Sequence, residues 1–380
     1  MTAAFPAPEV LSDDAAIAAF EPVWRAFTAD HAHSPFDSPD WLRPWYGHYA
    51  GEGRPRVLVW RLDDRVVGVA PLVVRRSGLL VRRTEVGLWG GSGPAIRGLA
   101  DVVATDEHRG AVLDGFAAWL GAGGQPWDVL HLLRLPVGSE MPDRLRQAAG
   151  RAGWRVVSLT GVVRSTTYVI DLPAGEEGWR DFLGPKARHN LRTEANRFVR
   201  AGGRFERTVD PSFAPEAVAA MRRLMARRWG ERELDFTPDP AFEPFLIEAL
   251  GEMLANGSVY LDLARDDSGI RACLATMILN HRAVALVMGV SQDEDVRRMS
   301  LGKQLFDRSI GEAVRRGCRT YDFLWAGGYK ESFWHAVPRT MESLVVGRGL
   351  RGRSVTASVW LRRRALPRLI RLIRPGRRLG

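Results

Sequence analysis

Two stretches of the chain, about 200 residues apart, repeat one order of apolar runs and breaks. In the first, the run Arg56–Leu62 meets the polar pair Asp63-Asp64 and continues from Arg65 to Val74, a pattern of two strands joined by a turn. A third apolar run over Leu80–Trp89, a helical pattern near Glu107–Leu120 and a strand beginning at Trp127 follow it. In the second, Ser258–Arg265 and Ile270–Leu279 flank Asp266-Asp267. A short Asn280-His281-Arg282 turn leads into Ala283–Val290, and a helix over Gly302–Arg316 and a strand over Arg319–Trp325 close the stretch. Both run strand, turn, strand, turn, strand, loop, helix, strand. One Asp-Asp hairpin is commonplace; the same order twice implies an internal duplication.

Between the copies, Pro185 and the pair Gly202-Gly203 mark the start and stop of a helix. Leu191, Ala195, Phe198 and Val199 fall on one face of it, and Arg188 and Arg192 sit one turn apart elsewhere. Further helices are predicted over Pro215–Arg228 and Phe242–Asn256. A chain of 380 residues exceeds what one core of roughly 100–200 residues holds. The expected division is an N-terminal domain over 1–160, a C-terminal domain over 161–347 and a basic amphipathic tail over 348–380. Each domain is expected to be α/β (α+β), a mixed, mostly antiparallel sheet flanked by helices.

Charge changes this picture little. The net charge of +10 comes from the tail, where eleven arginines and no acid lie between Arg348 and Gly380; the rest carries 43 basic and 44 acidic residues. That balance argues against DNA as a partner. The tail places Leu366, Leu369, Ile370 and Ile373 at helical spacing with Arg364, Arg368 and Arg371 on another side. It suits peripheral contact with an anionic membrane or docking on the body, with Pro367 as a bend. Cys273 and Cys318 match no metal or disulfide spacing, and His31 and His33 have no supporting carboxylate motif, so no metal is expected. The start shows neither a basic n-region nor an apolar h-region, and no uncharged apolar run nears the roughly 18 residues of a membrane span. A cytoplasmic location is the expectation.

Two constellations carry chemistry. The first, Arg297, Arg298, Ser300, Gly302 and Lys303, stands between an apolar strand and a helix. Backbone N–H groups at a helix start, a glycine and nearby cations together suit a phosphate-bearing cofactor, though a basic surface loop would read the same way. Lysine occurs only at positions 186, 303 and 330, which marks Lys186, Lys303 and Lys330 as places where a compact ammonium is wanted. The second constellation is Asp322 in an apolar strand, followed by Gly327-Gly328, Tyr329, Lys330 and Trp334. A carboxylate there is either a structural ion pair or a group that orients Lys330 or takes a proton from an amine. Tyr329 would protonate a leaving thiolate and Lys330 would stabilise an oxyanion.

With these residues read, the chain resembles the CelD/BcsL-type acetyltransferases of the Gcn5-related (GNAT) superfamily, relatives of the Fem peptidoglycan amino-acid ligases. The resemblance rests on Phe36–Trp45, on Gly68-Val69-Ala70-Pro71, on Lys186 through Arg192, and on Asp322 with Tyr329, Lys330 and Trp334. It implies two tandem GNAT-like domains and acyl transfer from acyl-CoA to the amine of a small molecule or envelope precursor by direct attack. Such enzymes carry Gln/Arg-x-x-Gly-x-Gly/Ala before the helix; here Ser300 stands in place of the first glycine. The implied cofactor contacts are Val287, Gly289, Val290, Arg297, Arg298, Ser300, Gly302 and Lys303. The implied catalytic residues are Asp322, Tyr329 and Lys330. The implied substrate contacts are Lys186, Arg188 and Arg192, as a wall of the cleft between the domains, and Trp334. Two alternatives stay open: an aminoacyl-tRNA-dependent ligase of the Fem type, and a scaffold in envelope polysaccharide synthesis that has lost its chemistry.

Overall fold

The computed structural model describes residues 5–78, 82–91, 99–123, 125–160, 165–233, 239–324 and 328–364. The chain opens with β1 (Glu9–Leu11), α1 (Asp14–His31), α2 (Pro39–Tyr49), β2 (Arg54–Leu62), β3 (Arg65–Ser77) and β4 (Arg83–Leu88). It continues with β5 (Val103–Ala104), α3 (Arg109–Gly121), β6 (Val129–Leu135), α4 (Met141–Ala152) and β7 (Arg155–Ser158). The second half holds β8 (Thr166–Asp171), α5 (Gly175–Phe182), α6 (Gly184–Arg200), β9 (Arg204–Thr208), α7 (Ala214–Glu233), α8 (Phe242–Ala255), β10 (Val259–Asp266), β11 (Gly269–Leu279) and β12 (Arg282–Val290). It ends with α9 (Glu294–Arg297), α10 (Leu301–Arg315), β13 (Thr320–Asp322), α11 (Tyr329–Trp334), β14 (Val337–Thr340), β15 (Glu342–Gly347) and α12 (Gly349–Arg364).

The strands form two sheets of matching topology. The first runs β1-β2-β3-β4-β6-β15-β7, with β5 against β3; the second, read from its other edge, runs β9-β10-β11-β12-β13-β8-β14. Position by position the orders correspond, and in each the fourth and fifth strands are a parallel pair. The duplication read from the sequence is therefore present in space.

One strand of the first sheet comes from the other half of the chain. In the second sheet, β8 lies between β13 and β14. β15 returns from the second half to lie between β6 and β7. A single cut of the chain between residues 160 and 347 does not separate the sheets, because Glu342–Gly347 completes the first one. Helix α12, the front of the expected tail, packs on β15 and β7 rather than standing free. The amphipathic run Leu366–Ile373 lies outside the described residues.

The halves also share a core. Phe36, Trp41 and Trp45 from the start of the chain are buried together with Phe245, Leu250 and Met253 of α8. Trp41 meets Phe245 edge-on with ring centroids 4.8 Å apart. The polar residues of that motif set up the helix: Ser34 and Asp37 cap reciprocally, and the Ser38 side chain caps α2. Asp40 accepts from Arg25 Nε at 2.7 Å and from Asn256 Nδ2 at 2.7 Å, tying α2 to the second half. Among the described residues no helix is long and apolar enough to cross a membrane.

Candidate functional site

β12 and β13 pair only at their beginnings: Arg282 faces Thr320, Ala283 faces Tyr321 and Val284 faces Asp322. β12 then runs on to Val290 while β13 stops, so the two strands part like an opened V with Val284 and Asp322 at its apex. A bulge sits just beyond that point, because Ala275 pairs with Val287 and Thr276 with Ala285, leaving Leu286 extra. The extra residue reverses the side-chain alternation. Leu286 and Val287 both enter the core between the halves, and Met288 and Val290 face α10.

The loop ahead of α10 provides the other wall. Ser300 is the N-cap in the left-handed region, φ 49° and ψ 42°, and makes no side-chain capping bond. A side chain in that conformation costs about 1 kcal/mol relative to glycine. Lys303 N and Gln304 N donate to the Ser300 carbonyl at 2.8 and 3.2 Å, so the N–H groups of Leu301 and Gly302 are the ones that lack acceptors within the helix at its positive end. Met288, Val290, Arg297, Ser300, Gly302 and Lys303 line a depression of about 210 Å³ at that point. A Cβ on Gly302 would come 3.3 Å from Val290 Cγ2 and 3.6 Å from Met288 Cε, so a side chain there would start to fill the depression. Ser300→Gly is expected to raise stability by about 1 kcal/mol in urea unfolding, whereas an unchanged or lower midpoint would contradict the strain at this position.

Three expected cofactor contacts need correction. Gly289 is bare because its Cβ would lie 2.9 Å from Leu224 Cβ and 3.1 Å from Met221 Cα of α7. Val287 is buried on the same side, so both offer only backbone to the V, and Met288 is the facing side chain that a strict alternation hides. Arg298 is exposed and does not line the depression; its carbonyl takes a long 3.5 Å bond from Arg197 Nη1. Lys303 does line it, with Nζ 4.7 Å from the Phe333 ring centre.

Asp322 stands at the apex on the opposite face, toward the first half. Its Oδ1 accepts from the Thr167 hydroxyl and from Leu324 N at 2.7 Å. Burial pushes its carboxyl up to about 6, while Thr167, the Leu324 amide, Lys330 and Arg339 hold it back from rising further. Lys330 is buried, donates from Nζ to the Phe323 carbonyl at 3.0 Å and lies over the rings of Phe306 and Phe323. Its ammonium thus fastens the end of β13 and lowers the charge cost of Asp322. The side chain of Tyr329 lies outside the described residues. Asp322 opens into a cavity of about 220 Å³ between the halves, walled by His33, Pro136 and Val137 on one side and Thr167, Arg282 and Arg339 on the other. Thr167, Arg282 and Arg339 are functional candidates that the sequence reading did not single out, and it weighed His33 only as a metal ligand.

The remaining expectations fall elsewhere. Trp334 is fully buried, stacked on Trp179 with centroids 5.9 Å apart and packed against Phe306 and Phe333, so it is a core residue and not a substrate contact. α6 does not wall the cleft between the halves. Arg188 and Arg192 line a separate cleft of about 730 Å³ built only from second-half residues, among them Trp179, Phe205, Asp262 and Arg308. Arg188 Nη1 donates there to Asp181 Oδ1 at 3.2 Å. Lys186 is exposed beside it. Leu191 and Phe198 are buried as expected, but Val199 is 54% exposed.

Residues 185–331, from α6 to α11, match the family described as "Acetyltransferase (GNAT) domain". That match lies in the second half, and over most of its length the chain has the fold of FemX. The crystal structure of FemX is similar with a TM-score of 0.60 at 11% identity, over 85% of this chain and 95% of that one. A conserved protein of unknown function from Bacteroides thetaiotaomicron VPI-5482 is similar with a TM-score of 0.53 at 14% identity, over 90% and 100%. A tandem GNAT protein from the clavulanic acid biosynthesis pathway gives 0.45 at 13% identity, over 90% and 98%. No curated protein sequence matches the chain.

Proposed function

We propose that the protein is an N-acyltransferase that moves an acyl group from acyl-CoA to the amine of a compact acceptor. The observation that carries this reading is the V between β12 and β13, with an anion-suited helix start at its mouth and a carboxylate at its apex. Acyl-CoA, when bound, supplies a thioester carbonyl open to attack by an amine. Arg297, Lys303 and the first N–H groups of α10 hold its pyrophosphate, Gly302 leaves the space free, and Met288 and Val290 offer an apolar wall to the pantetheine arm.

The acceptor enters from the opposite face, through the cavity between the halves. Asp322 orients the amine and takes its proton as the acyl–nitrogen bond forms. The acyl–sulfur bond breaks at the same centre and the sulfur gains a proton, with Tyr329 as the proposed donor. Amide and free CoA thiol leave. Lys330 acts as a positioning residue: bonded to the Phe323 carbonyl, it fixes the end of β13 where the V opens.

The test is amine-dependent release of thiol from acetyl-CoA and longer acyl-CoAs, with mass detection of the amide. Thiol release that requires an amine and yields the matching amide supports the reading. Transfer only from aminoacyl-tRNA would replace it with the ligase alternative. No transfer by a folded protein that still binds acyl-CoA would favour a scaffold.

A further inference from the structure

The cavity at Asp322 is polarised, and its polarity describes the acceptor. Its volume of about 220 Å³ is below the roughly 300–1,000 Å³ of drug-sized pockets, so the group it admits is compact. Its lining holds the Asp322 carboxylate with the Thr167 hydroxyl. It also holds two guanidinium groups. The Arg282 side chain is half-buried and makes no hydrogen bond or ion pair with another described residue. Among the described residues Arg339 pairs with the exposed Asp171, at 3.6 Å.

The carboxylate nearest in sequence to the cavity wall is already engaged. Asp37 accepts from Asp101 N at 2.8 Å through one oxygen and from Ser34 N at 3.2 Å through the other. Arg109, which adds to the positive field at Arg282, is paired with Asp106. Burial and the neighbouring Arg109 and Arg282 push His33 below its ordinary value, so this wall residue adds a neutral imidazole at neutral pH. Asp37 and Asp322 act on Arg282 only through space, without a direct hydrogen bond or ion pair. A guanidinium held partly out of water without a bonded partner is costly, and its planar fork matches a carboxylate or phosphate in two parallel bonds.

We propose that the acceptor is a small amine that itself carries an anionic group, carboxylate or phosphate. Arg282, helped by Arg339, holds the anion, and Asp322 faces the amine. The proposal rests on the acyltransfer reading and adds the acceptor's class to it. It makes Arg282 a specificity-determining residue at the start of β12, on the strand whose far end faces the acyl donor.

The experiment measures kcat/KM for acetyl transfer by the full chain on matched amines: alanine against alaninamide, and phosphoethanolamine against ethanolamine. Wild type and Arg282→Gln are compared, with Arg282→Lys as the variant that keeps charge but loses the fork. Because Arg282 holds no other described residue, both variants are expected to keep the wild-type melting temperature. The anionic member of a pair should be preferred by about tenfold or more, and Arg282→Gln should remove that preference with Arg282→Lys intermediate. The alanine arm and the phosphoethanolamine arm then distinguish a carboxylate from a phosphate acceptor. Equal use of charged and neutral amines, or a preference untouched by Arg282→Gln, overturns the proposal and leaves acyl transfer standing. Loss of both acyl-CoA binding and transfer with every amine would overturn the acyltransfer reading itself, and this proposal with it.

Discussion

Asp322→Asn is expected to lower turnover by about two to four orders of magnitude with little change in acyl-CoA affinity. The amide keeps the shape and can still accept from Thr167 and Leu324 N, so the fold and the V persist. What it cannot do is take a proton from the amine. The wild-type rate should also carry an acid limb. The folded carboxyl titrates at about 6, raised chiefly by burial. Below that pH it is neutral and has no capacity for the proton; above it the carboxylate is present, so the rate rises with pH through about 6. Lys330 and Arg339 favour the carboxylate and so hold the limb lower than burial alone would set it. A variant that retains both full turnover and the limb would remove Asp322 from the reaction.

Gly352→Ala is expected to destabilise the protein by about 3–5 kcal/mol. A Cβ at position 352 would lie 2.0 Å from the Asp128 carbonyl oxygen, and one at Gly347 would lie 2.3 Å from the Gly352 oxygen. These neighbours are backbone and cannot swing aside. The contacts hold α12 against β15 and the start of β6, so the strand returned from the far half depends on them. Without β15 placed, β7 has no partner in the first sheet. Gly311→Ala in α10 is the control: the nearest atom to its Cβ is Arg315 Nη1 at 4.0 Å, and alanine there should be neutral or stabilising by about 1 kcal/mol. Urea unfolding separates the two, and similar midpoints for both variants would mean that α12 is not docked as described.

Much of the architecture could be read from local pattern. The hairpins around Asp63-Asp64 and Asp266-Asp267, the helix from Gly184 and the helix after Ser300 all appear within a few residues of their predicted bounds. The return of β15 to the first sheet could not, since a short apolar run reads the same whichever sheet receives it. That Met288 rather than Val287 or Gly289 presents its side chain was not legible, because period-two alternation has no mark for the residue inserted at Leu286. Trp334 and the α6 arginines were drawn into the site by motif, and packing places them in a core and on a separate cleft. Arg282 and Arg339 were invisible, and His33 was read only as a possible metal ligand, for another reason. They meet from three distant segments, and only the docking of the two halves brings them to Asp322.

Calorimetric titration of acetyl-CoA into the wild type and the Arg297→Ala/Lys303→Ala double variant tests the donor site most directly. Micromolar binding by the wild type that weakens by about tenfold or more in a variant with unchanged melting temperature is the expected result. Equal binding by both would place the donor away from the start of α10, and no binding of any acyl-CoA by the folded wild type would contradict acyl transfer from coenzyme A.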